Sequence, residues 1–206
     1  MYRQSRMYEN LNKRIFEGVG SYSIPQIQPG TCDIDVFIGV NYAKTEKSPE
    51  CKGLHFFVDD YQFERFWTNP DAYIDILKRF NCVLSPDFST YTDFPKIIQI
   101  YNHYRKHWLA AYWQEHGIKV IPSISWSDED SFEWCFDGEP VGGVVAVSSV
   151  GTQRTLETKE LFIKGYTEML KRLTPKKIIF FGSVPEECKG NIVRVGAYQD
   201  KFRRNE

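Results

Sequence analysis

Five short apolar runs, each ended by polar or turn-forming residues, constrain this chain more than any other feature. They are 54–58 (LHFFV), ended by Asp59-Asp60; 82–84 (CVL), ended by Ser85-Pro86-Asp87; 118–121 (IKVI), ended by Pro122; 144–147 (VVAV), ended by Ser148-Ser149; and 178–181 (IIFF), ended by Gly182-Ser183. Runs of this length without alternation suit strands buried on both faces, as in a parallel sheet. Helical patterns lie between them. Asn69-Pro70 marks a helix start, with Tyr73, Ile74 and Leu77 facing inward. Pro95 opens a longer helix carrying Ile97, Tyr101, Tyr104, Trp108, Ala111 and Tyr112 at spacings of three and four, and Gly117 ends it. Ser127 and Asp130 have capping-box spacing before a short helix running from Phe132 to Phe136. Leu161, Phe162, Gly165, Met169 and Leu173 form a last amphipathic face, closed by Thr174-Pro175.

Strands alternating with helices imply parallel strands joined by right-handed crossovers. Alternation of Ile34, Val36, Ile38 and Val40 adds a strand at 34–40, and 192–195 adds another. The chain has 206 residues, fewer than the roughly 250 of a complete eightfold barrel. The expected class is therefore α/β: alternating βα units with a mainly parallel sheet, as a partial or reduced (β/α) barrel or as an open α/β sheet. Residues 1–50 read as an N-terminal arm with one strand, 51–200 as a single α/β domain, and 201–206 as a basic tail.

An aromatic content of 16% excludes a disordered chain, and 26 basic against 27 acidic residues exclude a strongly basic nucleic-acid binder. The five cysteines are scattered, without a C-x-x-C pair, which argues against a disulfide framework or a cysteine zinc site. No run of about 18 apolar residues occurs, and the N-terminus lacks an apolar leader. A reduced, cytoplasmic protein with no membrane span is expected.

In parallel α/β folds, ligands bind at the carboxyl ends of the strands. The residues just past each run should therefore share one mouth: Asp59, Asp60 and Tyr61; Ser85, Asp87 and Ser89; Ser125, Trp126 and Asp128; Ser148, Ser149, Thr152 and Gln153; and Ser183. Asp60 and Asp87 are the candidate catalytic pair. Two carboxylates from different strands could share a proton, act as base and nucleophile, or hold Mg²⁺ with water. Tyr61 and Trp126 could stack a flat ring, with Ser85, Ser89, Ser148, Ser149 and Gln153 orienting it. The competing role for each acid is a helix cap, and Asp128 and Asp130 fit that best.

Other constellations carry less. His103 and His107 share a helix face, but no third ligand or H-E-x-x-H motif accompanies them. With Arg105 and Lys106 beside them they read as a solvated basic face, so no metal site is assigned. His55 reads as a satisfied core histidine and Cys82 as a small core hydrophobe. No phosphate-binding glycine motif is present.

The stretches HFFVDDYQFERFW (55–67), VLSPDFSTYTDFP (83–95), YWQEHGIKVIPSISWSDEDSFEWCFDG (112–138) and KGYTEMLKRLTPKKIIFFGS (164–183) closely resemble the bacterial and phage family catalogued as domain of unknown function 4417. The resemblance spans about residues 54–184. It implies a mobile-element setting, often a phage or prophage, and brings no catalytic residue with it. The polar clusters at successive strand ends set the functional expectation instead: an enzyme of hydrolase or glycosyl-transfer type, using paired Asp on a small-molecule, nucleotide- or nucleic-acid-derived ligand. The alternative is a non-catalytic protein that sequesters a ligand or binds a host protein or nucleic acid, the last through Lys96, Arg105, Lys106 and the basic tail.

Overall fold

The computed structural model describes residues 7–8 and 12–196; the basic tail and its Lys201, Arg203 and Arg204 lie outside them. Seven parallel strands follow one another in chain order. β1 (Phe37–Gly39), β2 (Gly53–His55), β3 (Cys82–Leu84) and β4 (Val120–Ile121) form one sheet, and β5 (Val144–Ser148), β6 (Lys177–Phe181) and β7 (Ile192–Val195) form a second. A single parallel bridge, Ser123 to Ala146, joins the two, with Ala146 donating to the Pro122 carbonyl and Ile124 to the Ala146 carbonyl, both at 2.8 Å. Among the described residues no ladder joins β7 to β1. The protein is α/β with parallel sheets, and it is not a closed barrel.

β2 and β4 are shorter than their apolar runs, β3 matches its run, and β5 and β6 each extend one residue beyond theirs. Of the first run only Leu54 and His55 pair, together with Gly53 before them; Phe56 and Phe57 continue beyond the ladder. Period-two alternation puts each strand against two layers. Val145, Val147, Ile178 and Phe180 face the helix Leu156–Leu173, while Val144, Ala146, Ile179 and Phe181 join Cys82, Leu84, Ile121 and Val195 on the inner side. Each Val, Ile, Leu or Phe buried in this way contributes about 1.5–3 kcal/mol. The inner side is curved enough that the Phe37 ring of β1 lies 5.7 Å from the Phe181 ring of β6.

Four α-helices cover the sheets: α1 (Glu64–Thr68), α2 (Ile74–Leu77), α3 (Lys96–Glu115) and α4 (Leu156–Leu173). The long helix begins after Pro95 and is followed by Gly117 at φ 78°, as its sequence implies. α4 starts at a capping box formed by Thr155 and Thr158 and ends at Thr174 in the left-handed region. Two expectations are corrected. The helix after Asn69-Pro70 is a 3₁₀ turn (Asp71–Tyr73) running into a single α-turn, with no side-chain cap from Asn69. At Glu129–Glu133 the cap is Asp128, which accepts from the Ser131 amide, while Ser127 instead donates to Gln99. The element is 3₁₀ rather than α.

The N-terminal segment is built into the body. Ile24 and Ile27 are buried, and Ile24–Pro25 pairs with Gly18–Val19 and packs against α3. Residues 29–34 pass under the starting ends of β4, β5 and β6. Gly30 lies against the Val120 carbonyl, where a Cβ would fall 2.5 Å away, and Lys177 donates to the Cys32 carbonyl at 2.7 Å. The Cys32 thiol meets that of Cys82 at 3.5 Å inside the curl.

Candidate functional site

The loops leaving β2, β3, β4 and β5 at their carboxyl ends surround a cleft of about 250 Å³. Its lining contains Phe57 from beyond β2, Asp87 to Tyr91 from beyond β3, Ile124 to Trp126 from beyond β4, and Val147, Ser148, Val150 and Thr152 from β5 and its loop. Phe162 of α4 completes one wall. The lining combines aromatic faces, five Ser and Thr hydroxyls and one carboxyl group, and holds no Lys or Arg.

The loop after β3 is fixed from three sides. Asp60, in a 3₁₀ turn (Asp60–Gln62), accepts from the Ser89 amide at 3.0 Å and from the Ser89 hydroxyl at 2.9 Å. Asn102 of α3 donates to the Ser89 carbonyl at 2.5 Å. Arg105, one turn on, lies 3.7 Å over the Phe88 ring and grips both Glu64 oxygens at 2.7 and 2.8 Å. Both backbone polar groups of Ser89 are thus held by side chains, so the Asp87–Ser89 segment is pre-organised without regular structure.

Asp87 is half-buried at the cleft wall. Loss of solvent drives its carboxyl from the ordinary 3.8 up to about 7; the Asp60 charge pushes the same way, while Lys106 and the Ser125 hydroxyl oppose it. A carboxyl of this kind exists as acid and base in comparable amounts at neutral pH, which suits proton transfer. Trp126 is held by packing: its ring lies 5.3 Å from Phe162, and it rests on Gly165 of α4, where a Cβ would fall 2.2 Å from the indole. Gly165 is therefore the reason a flat wall can stand there.

Of the residues expected at the mouth, Asp87, Ser89, Ser125, Trp126, Ser148 and Thr152 line this cleft. Asp60 stands behind the lining with both oxygens engaged by Ser89. Tyr61 is 79% exposed and outside the lining. Ser85 is fully buried and extends the β3–β4 ladder, its hydroxyl accepting from the Ser123 amide and its carbonyl from the Ser123 hydroxyl, both at 2.8 Å. Ser149 is also buried, donating to the Ser183 carbonyl at 2.6 Å. Gln153 is exposed and bonds Thr152. Phe57, Phe88, Tyr91 and Phe162 are lining residues that sequence reasoning did not single out. The three phenylalanines read as core from their apolar character, Tyr91 is largely exposed, and only the bend after β2 brings Phe57 to the mouth.

The solvated basic face on α3 is not what forms. His103, Lys106 and His107 are 2%, 2% and 0% exposed, because residues 24–25 and 134–139 cover that side of the helix. Lys106 donates to Glu139 at 2.7 Å and to the Ser123 carbonyl at 2.9 Å, beneath the cleft. With Lys106 buried and Arg105 paired to Glu64, neither contributes to a solvent-facing basic stripe. His55 is half-buried beside Phe57 and Phe181 rather than a satisfied core histidine: its Nδ1 has no hydrogen-bond partner, and burial lowers its pKa to about 4.

Among the described residues no helix is long and apolar enough to cross a membrane. No solved structure matches the chain. It is 37% identical over 185 residues to the Gene 1 protein of Mycobacterium phage L5, covering 88% of this chain and 80% of that protein. It is 35% identical over 204 residues to the Gene 1 protein of Mycobacterium phage D29, covering 98% and 76%. The family model described as "Domain of unknown function (DUF4417)" matches residues 16–199, beyond the 54–184 carried by the motifs, and so takes in the N-terminal segment that underlies the strands. With this match over most of its length, the chain belongs to the DUF4417 family.

Proposed function

We propose that the protein is an enzyme that binds a small, uncharged, ring-bearing molecule of the nucleoside, free-base or sugar class in the strand-end cleft. Asp87 would transfer a proton to or from it. The observation that carries this is a single carboxyl group with a pKa of about 7 in a cleft walled by Phe57, Phe88, Tyr91, Trp126 and Phe162. Aromatic faces favour a flat ring, and the hydroxyls of Ser89, Ser125 and Ser148 offer hydrogen bonds to its edge. A lining without Lys or Arg gives a phosphate no counter-charge, which favours the nucleoside over the nucleotide. Cleavage or transfer at a glycosidic bond fits this set, with Asp87 protonating the leaving group as water or an acceptor hydroxyl forms the new bond to the anomeric carbon and releases its own proton to solvent. Asp60 serves as a positioning residue, through Ser89 and through its charge on Asp87.

Mg²⁺ held between Asp60 and Asp87 does not fit the donors present. Both Asp60 oxygens already accept hydrogen bonds, leaving Asp87 as the one carboxyl facing the cleft, so no step is routed through a metal there. The mycobacteriophage relatives support a role encoded by a phage or prophage, and the free cysteines support a reduced host cytoplasm. The chain-order strands and the Phe37–Phe181 contact support reading the sheet as an incomplete (β/α) barrel.

A non-catalytic role in binding a host protein is favoured by one observation: Tyr61, Ile97 and Leu156 are 79%, 70% and 72% exposed. Screening nucleosides, bases and sugars by ligand-observed NMR and by product chromatography separates the two. The enzyme role requires turnover with an inflection near pH 7, and an Asp87→Asn variant that still binds but does not turn over. Binding without turnover in the native protein leaves sequestration, and no binding at all leaves the host-protein role.

A further inference from the structure

We infer that His103, His107 and Glu139 form a buried binding site for a divalent transition-metal ion, zinc in the first instance. The two histidines lie one turn apart on α3, and Glu139 reaches them from the loop after the 3₁₀ element, across more than thirty residues of sequence. One ring nitrogen of each histidine and one carboxylate oxygen of Glu139 lie within 4.8 Å of one another, and all three residues are buried.

Hydrogen bonding prepares the set for a cation. His107 Nδ1 lies 2.9 Å from the Pro25 carbonyl and His103 Nε2 3.1 Å from the Asp137 carbonyl. A carbonyl oxygen can only accept, so these two nitrogens carry the protons and the other nitrogen of each neutral ring keeps a lone pair. For His107 that lone pair, on Nε2, lies 3.0 Å from Glu139 Oε1, itself an acceptor when ionised. The Lys106 ammonium beside Oε1 offsets the carboxylate charge, and a cation between the two lone pairs would satisfy the His107 nitrogen as well. Ring nitrogens fixed by backbone carbonyls are the usual outer support of a histidine-ligated metal.

A second, independent observation points the same way. Glu139 Oε2 is buried and has no hydrogen-bond partner, although the side chain of Glu139 is fully shielded from solvent. Lys106 and His107 both crowd onto Oε1. A metal on the unpartnered oxygen leaves the Lys106 contact in place, since metal-bound carboxylates commonly accept a hydrogen bond on their other oxygen. Charge also permits it. Asp87 lies within electrostatic reach of Lys106, and Asp137 within reach of His107. These two carboxyls add acidic character around a site whose own Glu139 carboxylate is already matched by the Lys106 ammonium. Arg172, which also reaches Asp137, is paired with Glu168. Two imidazoles and one carboxylate suit Zn²⁺, with a fourth position left for water.

The loop geometry allows this approach. Gly138 has φ 77°, and a Cβ there would fall 2.5 Å from the Pro25 carbonyl and 2.8 Å from His107 Nδ1. Only glycine lets residues 137–139 close so tightly over the helix. The ion would clamp that loop to α3 and fix Lys106 beneath the cleft. This inference does not depend on what the cleft binds.

The test is metal binding by the full chain. Chelator-stripped protein is titrated with ZnCl₂ and, separately, with CoCl₂ while visible absorption is followed. The expected result is one equivalent of either ion per chain, with the intense visible bands of four-coordinate cobalt. His103→Gln should bind zinc at least about tenfold more weakly while its circular dichroism is unchanged. Lys106→Met, which leaves Glu139 without its cation, should have a lower melting temperature that ZnCl₂ restores. The inference is overturned if folded, stripped protein takes up less than about a tenth of an equivalent, or if His103→Gln binds like the native chain. Should His103→Gln not fold, X-ray absorption of the native cobalt form decides: nitrogen and oxygen neighbours alone support the site, and sulfur neighbours overturn it.

Discussion

The sharpest consequence of the cleft chemistry is that removing its central acid should make the protein more stable in alkali. Asp87 has an ordinary carboxyl pKa of 3.8 when the chain is unfolded and about 7 when folded. Between those values the folded protein holds a proton that the unfolded chain has released. Stability from this group is fully present below about pH 4 and declines as pH rises through about 7. A shift of about 3 units at about 1.36 kcal/mol each gives roughly 4 kcal/mol. Asp87→Asn keeps the side chain's size and its acceptor toward Ser125 while removing the ionisation. At pH 8 the variant should exceed the native protein by up to about 4 kcal/mol, a rise of about 8–16 °C in Tm for a chain of this size. At pH 4 the two should nearly coincide. The assay is urea unfolding of both proteins from pH 4 to 8.5, read as the difference between their free energies so that other titrating groups cancel. Around pH 5–6 that difference should change by about 1.4 kcal/mol per pH unit. A difference that stays flat with pH, or a variant less stable at pH 8, would refute the argument that burial holds Asp87 partly protonated.

Two further changes probe the supports of the cleft. Asp60→Asn leaves Ser89 with a neutral acceptor in place of a charged one, so it should cost about 1.5–3 kcal/mol in denaturant unfolding. Removal of its charge should also lower the carboxyl pKa of Asp87, measured by carbon-13 NMR, and an unchanged value would show the two acids to be uncoupled. Gly165→Ala inserts a methyl group where the indole of Trp126 lies; crowding costs about 1–3 kcal/mol against a helix-propensity gain of about 1 kcal/mol. Tryptophan emission should shift as the ring is pushed toward the cleft, and an unperturbed spectrum would mean that Trp126 does not rest on α4.

The parts of the fold that rest on side-chain chemistry over a few residues were legible in the sequence. Val145/Val147 and Val144/Ala146 face two different layers, which is why the run carries no alternation and reads as a buried parallel strand. Punctuation by Ser-Pro-Asp and Ser-Ser located the rim of the cleft, since Asp87, Ser89 and Ser148 lie there. The same punctuation could not separate a lining hydroxyl from Ser85 or Ser149, whose hydroxyls complete the hydrogen bonding of neighbouring strands. That distinction depends on partners 38 and 34 residues away. The buried polar side of α3 was illegible for a related reason. Gln99, Asn102, His103, Lys106 and His107 look like a wet surface, and their partners come from segments near residues 25, 89, 127 and 139. No local spacing records such distant contacts. The one available signal was Asp137-Gly138-Glu139, a glycine turn carrying two acids.

The lone bridge between Ser123 and Ala146 leaves the molecule with a crease. Asp87, Ser125 and Trp126 stand on one side of it and Ser148 and Thr152 on the other. Any guest that touches both banks acts as a rivet across the fold, so occupancy of the cavity and cohesion of the two halves are linked quantities. Slowed amide exchange at Ile124 and Ala146, more than in the interior of either half, is then the fingerprint of a guest in its seat.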